Sequence, residues 1–148
     1  MKKAILMLAI MAGMATLGVA QEYKILTTVE SIVPGGLGRS RMIETKTEMD
    51  AGDFTTERTD GKTSKQNKIK RKDAKVDEFA ETKLLNFYSL VGINFQNIAS
   101  NDALVTSRIN ELVAEGWELM FVNSGVESSA GADDGEGIFI TRYIFKRN

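Results

Sequence analysis

The chain has 148 residues, 43% of them hydrophobic and 26% charged, with a single proline; this balance belongs to globular domains and excludes a disordered chain. It contains no histidine and no cysteine. Those absences exclude Ser-His-Asp and Cys-His catalysis, the usual structural zinc sites, thiol redox chemistry and haem ligation by histidine.

The first segment places Lys2 and Lys3 before an apolar run and ends on Gly18, Val19 and Ala20, with small residues at the two positions a signal peptidase reads. It reads as a signal peptide over residues 1–20. The alternative is an uncleaved anchor, since Ala4–Ala20 is 17 residues, the short limit for a spanning helix. Cleavage leaves residues 21–148 as one domain and, by removing Lys2 and Lys3, takes the formal charge from −1 to −3. A domain of that size hides about two-thirds of its unfolded surface and needs no disulfide staple. The expected location is outside the cytoplasm, periplasmic or secreted, with the membrane met only in transit through the signal peptide.

Tyr23–Val33 is rich in β-branched and aromatic residues and predicts a strand, broken by Pro34-Gly35-Gly36-Leu37-Gly38. Arg39–Met49 and Phe54–Thr59 predict weaker strands around the turn Asp50-Ala51-Gly52-Asp53, with Asp60-Gly61 closing the second. Asp73 is placed to cap a helix in which Val76, Phe79, Ala80, Leu84, Phe87 and Tyr88 share a face and Gly92 marks the end. Gly92–Ser100 then reads as an extended joint, because Ile93, Phe95 and Ile98 tuck to one side.

A second helix follows. Val105, Ile109, Leu112 and Val113 form its apolar stripe, while Arg108, Asn110, Glu111 and Glu115 face away. Asn101 or Asp102 caps its start, and Gly116 ends it. Beyond Gly116, Trp117, Leu119 and Phe121 alternate with Glu118, Met120 and Val122, and Ile138–Lys146 alternates likewise. Asn123–Gly137 links these last two strands as a long loop. The whole predicts an α+β fold, an antiparallel sheet of four or five strands with two helices packed on one face.

The run Leu112-Val113-Ala114-Glu115-Gly116-Trp117-Glu118-Leu119 and the closing Tyr143-Ile144-Phe145-Lys146-Arg147 resemble the small bacterial family catalogued as domain of unknown function four-one-seven-seven. Tyr23-Lys24-Ile25-Leu26 is similar to that family's first strand. The resemblance implies a compact fold of one strand, a helix and a returning antiparallel pair, with residues 102–148 as the family-like part and 34–101 as a large insertion. It implies no activity, cofactor or catalytic residue.

Gly61-Lys62-Thr63 imitates the end of a P-loop, but Thr56 stands where the motif requires glycine. Pro34–Arg41, with Arg39 and Arg41, reads as a turn with solvated arginines rather than an anion cradle, because no helix N-terminus follows it. Asp133, Asp134 and Glu136 lack the spacing of a calcium loop and read as a solvated tip. The one marked charge asymmetry is Lys62–Lys75, seven basic residues against Asp73. Within it Lys65, Lys68, Lys70, Arg71 and Lys72 form the candidate interaction surface, with a solvated face as the plainer alternative. No aromatic is interleaved for base stacking, so nucleic acid is not an expected partner.

These observations predict a non-catalytic exported binding or structural module of the bacterial cell envelope, not an enzyme. Neither metal nor cofactor is expected. Its partner would be an unidentified protein, glycan or envelope component, and self-association through the sheet is a further expectation. The alternative is a hydrolase using carboxylates or lysine. Convergence of two acids in a pocket separates the two.

Overall fold

A computed structural model describes residues 20–32, 39–127 and 137–148. The segment expected to be a signal peptide, the glycine-rich break after β1 and the acidic tip of the last loop therefore lie outside, apart from their edges. The elements are β1 (Glu22–Ser31), β2 (Arg41–Thr45), β3 (Phe79–Lys83), β4 (Tyr88–Ser89), β5 (Gly92–Ile93), α1 (Phe95–Ala114), β6 (Glu118–Glu127) and β7 (Ile138–Arg147). Five strands form one sheet in the order β3-β2-β1-β7-β6, antiparallel throughout, and β4-β5 is a separate small hairpin. The fold is α+β.

The β-branched first segment lies at the centre of the sheet, where its backbone is paired on both sides; each residue from Glu22 to Ser31 faces one of Arg147 to Ile138. Successive side chains then fall on opposite faces. Leu26, Met42 and Phe145 point to the face covered by α1 and join Leu84, Leu112 and Trp117 in the core, with Val105, Ile109 and Tyr143 packed against it. The other face carries Ile25 beside Ile144, and Ile144 beside Phe121, with no helix over it among the described residues.

One helix is present among the described residues where two were expected. The apolar spacing from Val76 to Tyr88 fits a helix, but Ala80, Thr82 and Leu84 also alternate with exposed neighbours, and β2 presents an unpaired edge. Pairing Arg41–Thr45 with Lys83–Phe79 satisfies that edge, so tertiary hydrogen bonding overrides the local pattern. The turn at Asp50 becomes a 3-10 turn over Ala51–Phe54, and Phe54–Thr59 forms no strand.

The helix that does form starts earlier than the expected cap. Asn94 is the N-cap, its side chain accepting from the N–H groups of Gln96 and Asn97, so Gly92–Ser100 divides into a hairpin strand and the first turn of α1. Neither Asn101 nor Asp102 caps anything. The buried stripe is also rotated: Asn101, Val105, Arg108 and Leu112 follow i, i+4, i+7 and i+11, while Val113 falls at the exposed edge. Arg108 therefore faces the sheet, not solvent.

At the other end the expectation holds. Gly116 has φ +89°, Trp117 N–H donates to Leu112 C=O at 2.9 Å, and Gly116 N–H donates to Val113 C=O at 3.0 Å. This paired closure needs a left-handed residue at Gly116 and delivers Trp117, only 6% exposed, into the core. Lys24 Nζ and Arg147 Cζ lie 5.0 and 4.4 Å from the centre of its ring. A bulge between Leu119 and Phe121 then breaks the expected alternation of β6, so that Phe121 pairs with Ile144 and Val122 with Tyr143.

Candidate functional site

A hollow of about 700 Å³, within the range of ligand pockets, lies where Arg41 and Lys83 close the β2–β3 pair. Its floor begins at Ser40, which is fully buried. Ser31 N–H donates to Ser40 Oγ at 2.9 Å, Ser40 Oγ donates to Asn86 Oδ1 at 2.7 Å, and Leu84 N–H donates to Ser40 C=O at 3.1 Å. One small residue, through its hydroxyl and its carbonyl, thus ties β1 and the start of β2 to residues 84–86.

Residues 85–87 have no sheet partner, so their backbone groups need others. An asparagine ladder on α1 and its cap supplies them. Asn101, 1% exposed, accepts from Leu85 N–H and donates to Leu85 C=O, both at 2.8 Å, so its amide stands in for a neighbouring strand. Its Nδ2 also donates to Glu30 Oε1 at 2.8 Å. Asn97 Nδ2 donates to Asn86 C=O at 2.7 Å, and Asn94 N–H donates to Phe87 C=O at 2.8 Å. Asn94, Asn97 and Asn101 sit at i, i+3 and i+7, one face of the helix. The wall of the hollow is fixed before any ligand arrives.

Arg39, Arg41 and Lys83 line the hollow, together with Leu85 and Tyr88, and no carboxylate among the described residues does. Arg41 is part-neutralised: its Nε donates to Glu81, and Nη1 to Ser40 C=O at 2.7 Å. Neither Arg39 nor Lys83 forms an ion pair with a described residue. The β4-β5 hairpin contributes to the same lining, and its two-residue turn, Leu90 and Val91, is 85% and 98% exposed. Cations and large apolar side chains share one lining.

The serines of the hollow are held by carbonyl acceptors. Ser40 Oγ donates to an amide oxygen and Ser89 Oγ to Gly92 C=O at 3.0 Å, and neither acceptor can take up a proton at neutral pH to activate a nucleophile. The buried carboxylate among the described residues is Glu44, on the helix-covered face. Arg108 grips it with two bonds, Nε to Oε2 at 2.9 Å and Nη2 to Oε1 at 3.1 Å, and Lys24 Nζ donates to Oε1 at 2.9 Å. Burial pushes its pKa up, yet the hydrogen bonds and charges of Lys24 and Arg108 together outweigh burial and hold it below the ordinary value. Glu44 is kept ionised, the opposite of a general acid.

The basic run is elsewhere. Residues 46–78 leave and re-enter the sheet at the Thr45–Phe79 end, whereas the hollow lies at the Arg41–Lys83 end. Lys65, Lys68, Lys70, Arg71 and Lys72 are all exposed, Lys68 on a short 3-10 turn over Gln66–Lys68, and none lines the hollow. The P-loop imitation is occupied from within: Asp60 accepts from Lys62 N–H at 2.9 Å, Thr63 N–H at 2.8 Å and Thr63 Oγ1 at 2.6 Å. Those bonds, the Thr63 hydroxyl foremost, pull the Asp60 pKa down to about 2. A phosphate would find these amides taken by a carboxylate.

Glu118 lies on the open face, paired with Lys146 at 3.3 Å, so it does not converge with Glu44. No family model, curated protein or solved structure matches the chain.

Proposed function

We propose that this chain is an exported, non-catalytic binding module of the bacterial cell envelope, and that the hollow at the β2–β3 end holds an anionic group with an apolar neighbour. One observation carries the reading: Arg39, Arg41 and Lys83 line one hollow together with Leu85, Leu90 and Val91, and no carboxylate among the described residues lines it. An anion gains charge-assisted hydrogen bonds there, and its attached hydrocarbon gains burial. The serines already committed to carbonyl oxygens favour binding over hydrolysis.

Calorimetric titration with hexyl phosphate and with hexanol tests this. Hexyl phosphate should bind at least ten-fold more tightly than hexanol, and Arg39→Glu with Lys83→Glu should abolish the difference. Equal binding of the two probes would refute the reading. Turnover of a hydrolase substrate panel, abolished by changing one carboxylate, would put the hydrolase alternative in its place. Export is tested by fractionating tagged protein and sequencing its N-terminus, which should begin at Gln21.

A further inference from the structure

We propose that the β4-β5 hairpin docks this protein onto an anionic lipid surface, with Leu90 and Val91 entering the acyl boundary while Arg39 and Lys83 meet headgroup phosphates. The proposal rests on the hollow being an anion site, and it adds the partner.

Leu90 and Val91 stand between the paired residues Ser89 and Gly92, at the tip of a two-residue turn. Local backbone chemistry favours Asn, Asp or Gly at such a tip. Here the left-handed geometry falls instead on Gly92, φ +117°, and the tip holds two large apolar side chains that are 85% and 98% exposed. Nothing in the turn calls for them, and they add almost nothing to the core. Ile93 and Phe95, the next large apolar residues along the chain, are 54% and 77% exposed, so the apolar character extends beyond the tip.

Charge selects the occupant. A soluble protein surface could cover an apolar tip, but Leu90 and Val91 share one hollow with Arg39 and Lys83, cations that form no ion pair with a described residue. An apolar projection flanked by cations is complementary to a bilayer with anionic headgroups, which supplies hydrocarbon and phosphate a few ångströms apart. The chain carries a net charge of −1, so this local excess of cations opposes its overall charge and orients one end toward the lipid.

The test is co-sedimentation with vesicles of phosphatidylcholine and phosphatidylglycerol, against phosphatidylcholine alone. The protein should bind the mixed vesicles, more weakly as salt rises, and Leu90→Ser with Val91→Ser should lower binding at least ten-fold. Val91→Trp should be quenched by phosphatidylglycerol with brominated acyl chains. Undiminished binding of the double serine variant, or an unquenched Val91→Trp, would overturn the proposal. So would loss of binding in Lys68→Gln, Lys70→Gln, Arg71→Gln while the serine variant still binds, since that assigns the lipid contact to the basic run. Vesicle binding through Leu90 and Val91 in a protein indifferent to hexyl phosphate would support the hairpin and refute the hollow, so the two failures are distinct.

Discussion

Replacing Asn101 with alanine should destabilise the protein by about 2–4 kcal/mol. The side chain makes three hydrogen bonds of 2.8 Å from a fully buried position: two with the backbone of Leu85 and one with Glu30. Each such bond contributes about 1 kcal/mol net, more when one partner is charged, and an orphaned buried group costs about 1–3 kcal/mol. The Leu85 residue is 37% exposed, so water reaches part of what alanine would leave unpaired, and the lower half of that range applies. Urea unfolding monitored by Trp117 fluorescence measures the change. Against a total of about 5–15 kcal/mol typical of a native domain, the shift in midpoint is large. The same variant should weaken hexyl phosphate binding, because residues 85–87 lose one of their holders. A loss below about 1 kcal/mol would refute the view that Asn101 acts as a surrogate strand.

Trp117→Ala removes a nearly buried indole from the core and should cost about 3–5 kcal/mol, measured by urea unfolding followed by circular dichroism; a cost under about 1.5 would show the core closing without it. Gly116→Ala should cost about 1–2 kcal/mol by the same measurement, from left-handed backbone alone, because a Cβ there would meet only Arg147 Cδ at an ordinary 3.8 Å. The Glu44 pKa is lower in the folded chain than its ordinary value of 4.5. Its stabilising contribution is therefore complete above the unfolded pKa and is lost as pH falls from near 4.5 through the folded value. Urea midpoints between about pH 3 and 7 should show Glu44→Gln flattening that acid limb, and parallel curves for the two proteins would refute the assignment.

The central and last strands, the glycine-ended helix and the buried tryptophan were legible because their signals are local: β-branched runs, an i, i+4, i+7 stripe, and a glycine where the chain must turn left-handed. The stretch from Val76 to Tyr88 misled because its apolar residues satisfy helical spacing and strand alternation together, and an unpaired β2 edge, invisible in sequence, chose between them. Asn101 misled for a different reason. Asparagine before an apolar stripe is a good cap signal, yet Asn94 takes that role seven positions earlier, leaving Asn101 free to be buried. Arg108 reads as solvent-facing because a cation on a helix usually is; a carboxylate 64 positions away in sequence brings it inward.

The hollow was not legible, since it joins Ser40 to Asn86 across 46 positions. One clue was present. Asparagines at 94, 97 and 101 repeat on one helical face, a costly place for amides unless each has a backbone to hold.

Because the Asn97 and Asn101 amides hold the wall by its peptide groups, the frame and part of the lining are separable. Leu85, Asn86 and Phe87 are held by their N–H and C=O groups, which every residue except proline provides alike. A substitution at Leu85, which lines the cleft, can change what is selected while the shape persists, whereas Asn86 is itself part of the frame because its Oδ1 accepts from Ser40. Proline at position 85 is the exception: without an N–H it would unlatch the wall.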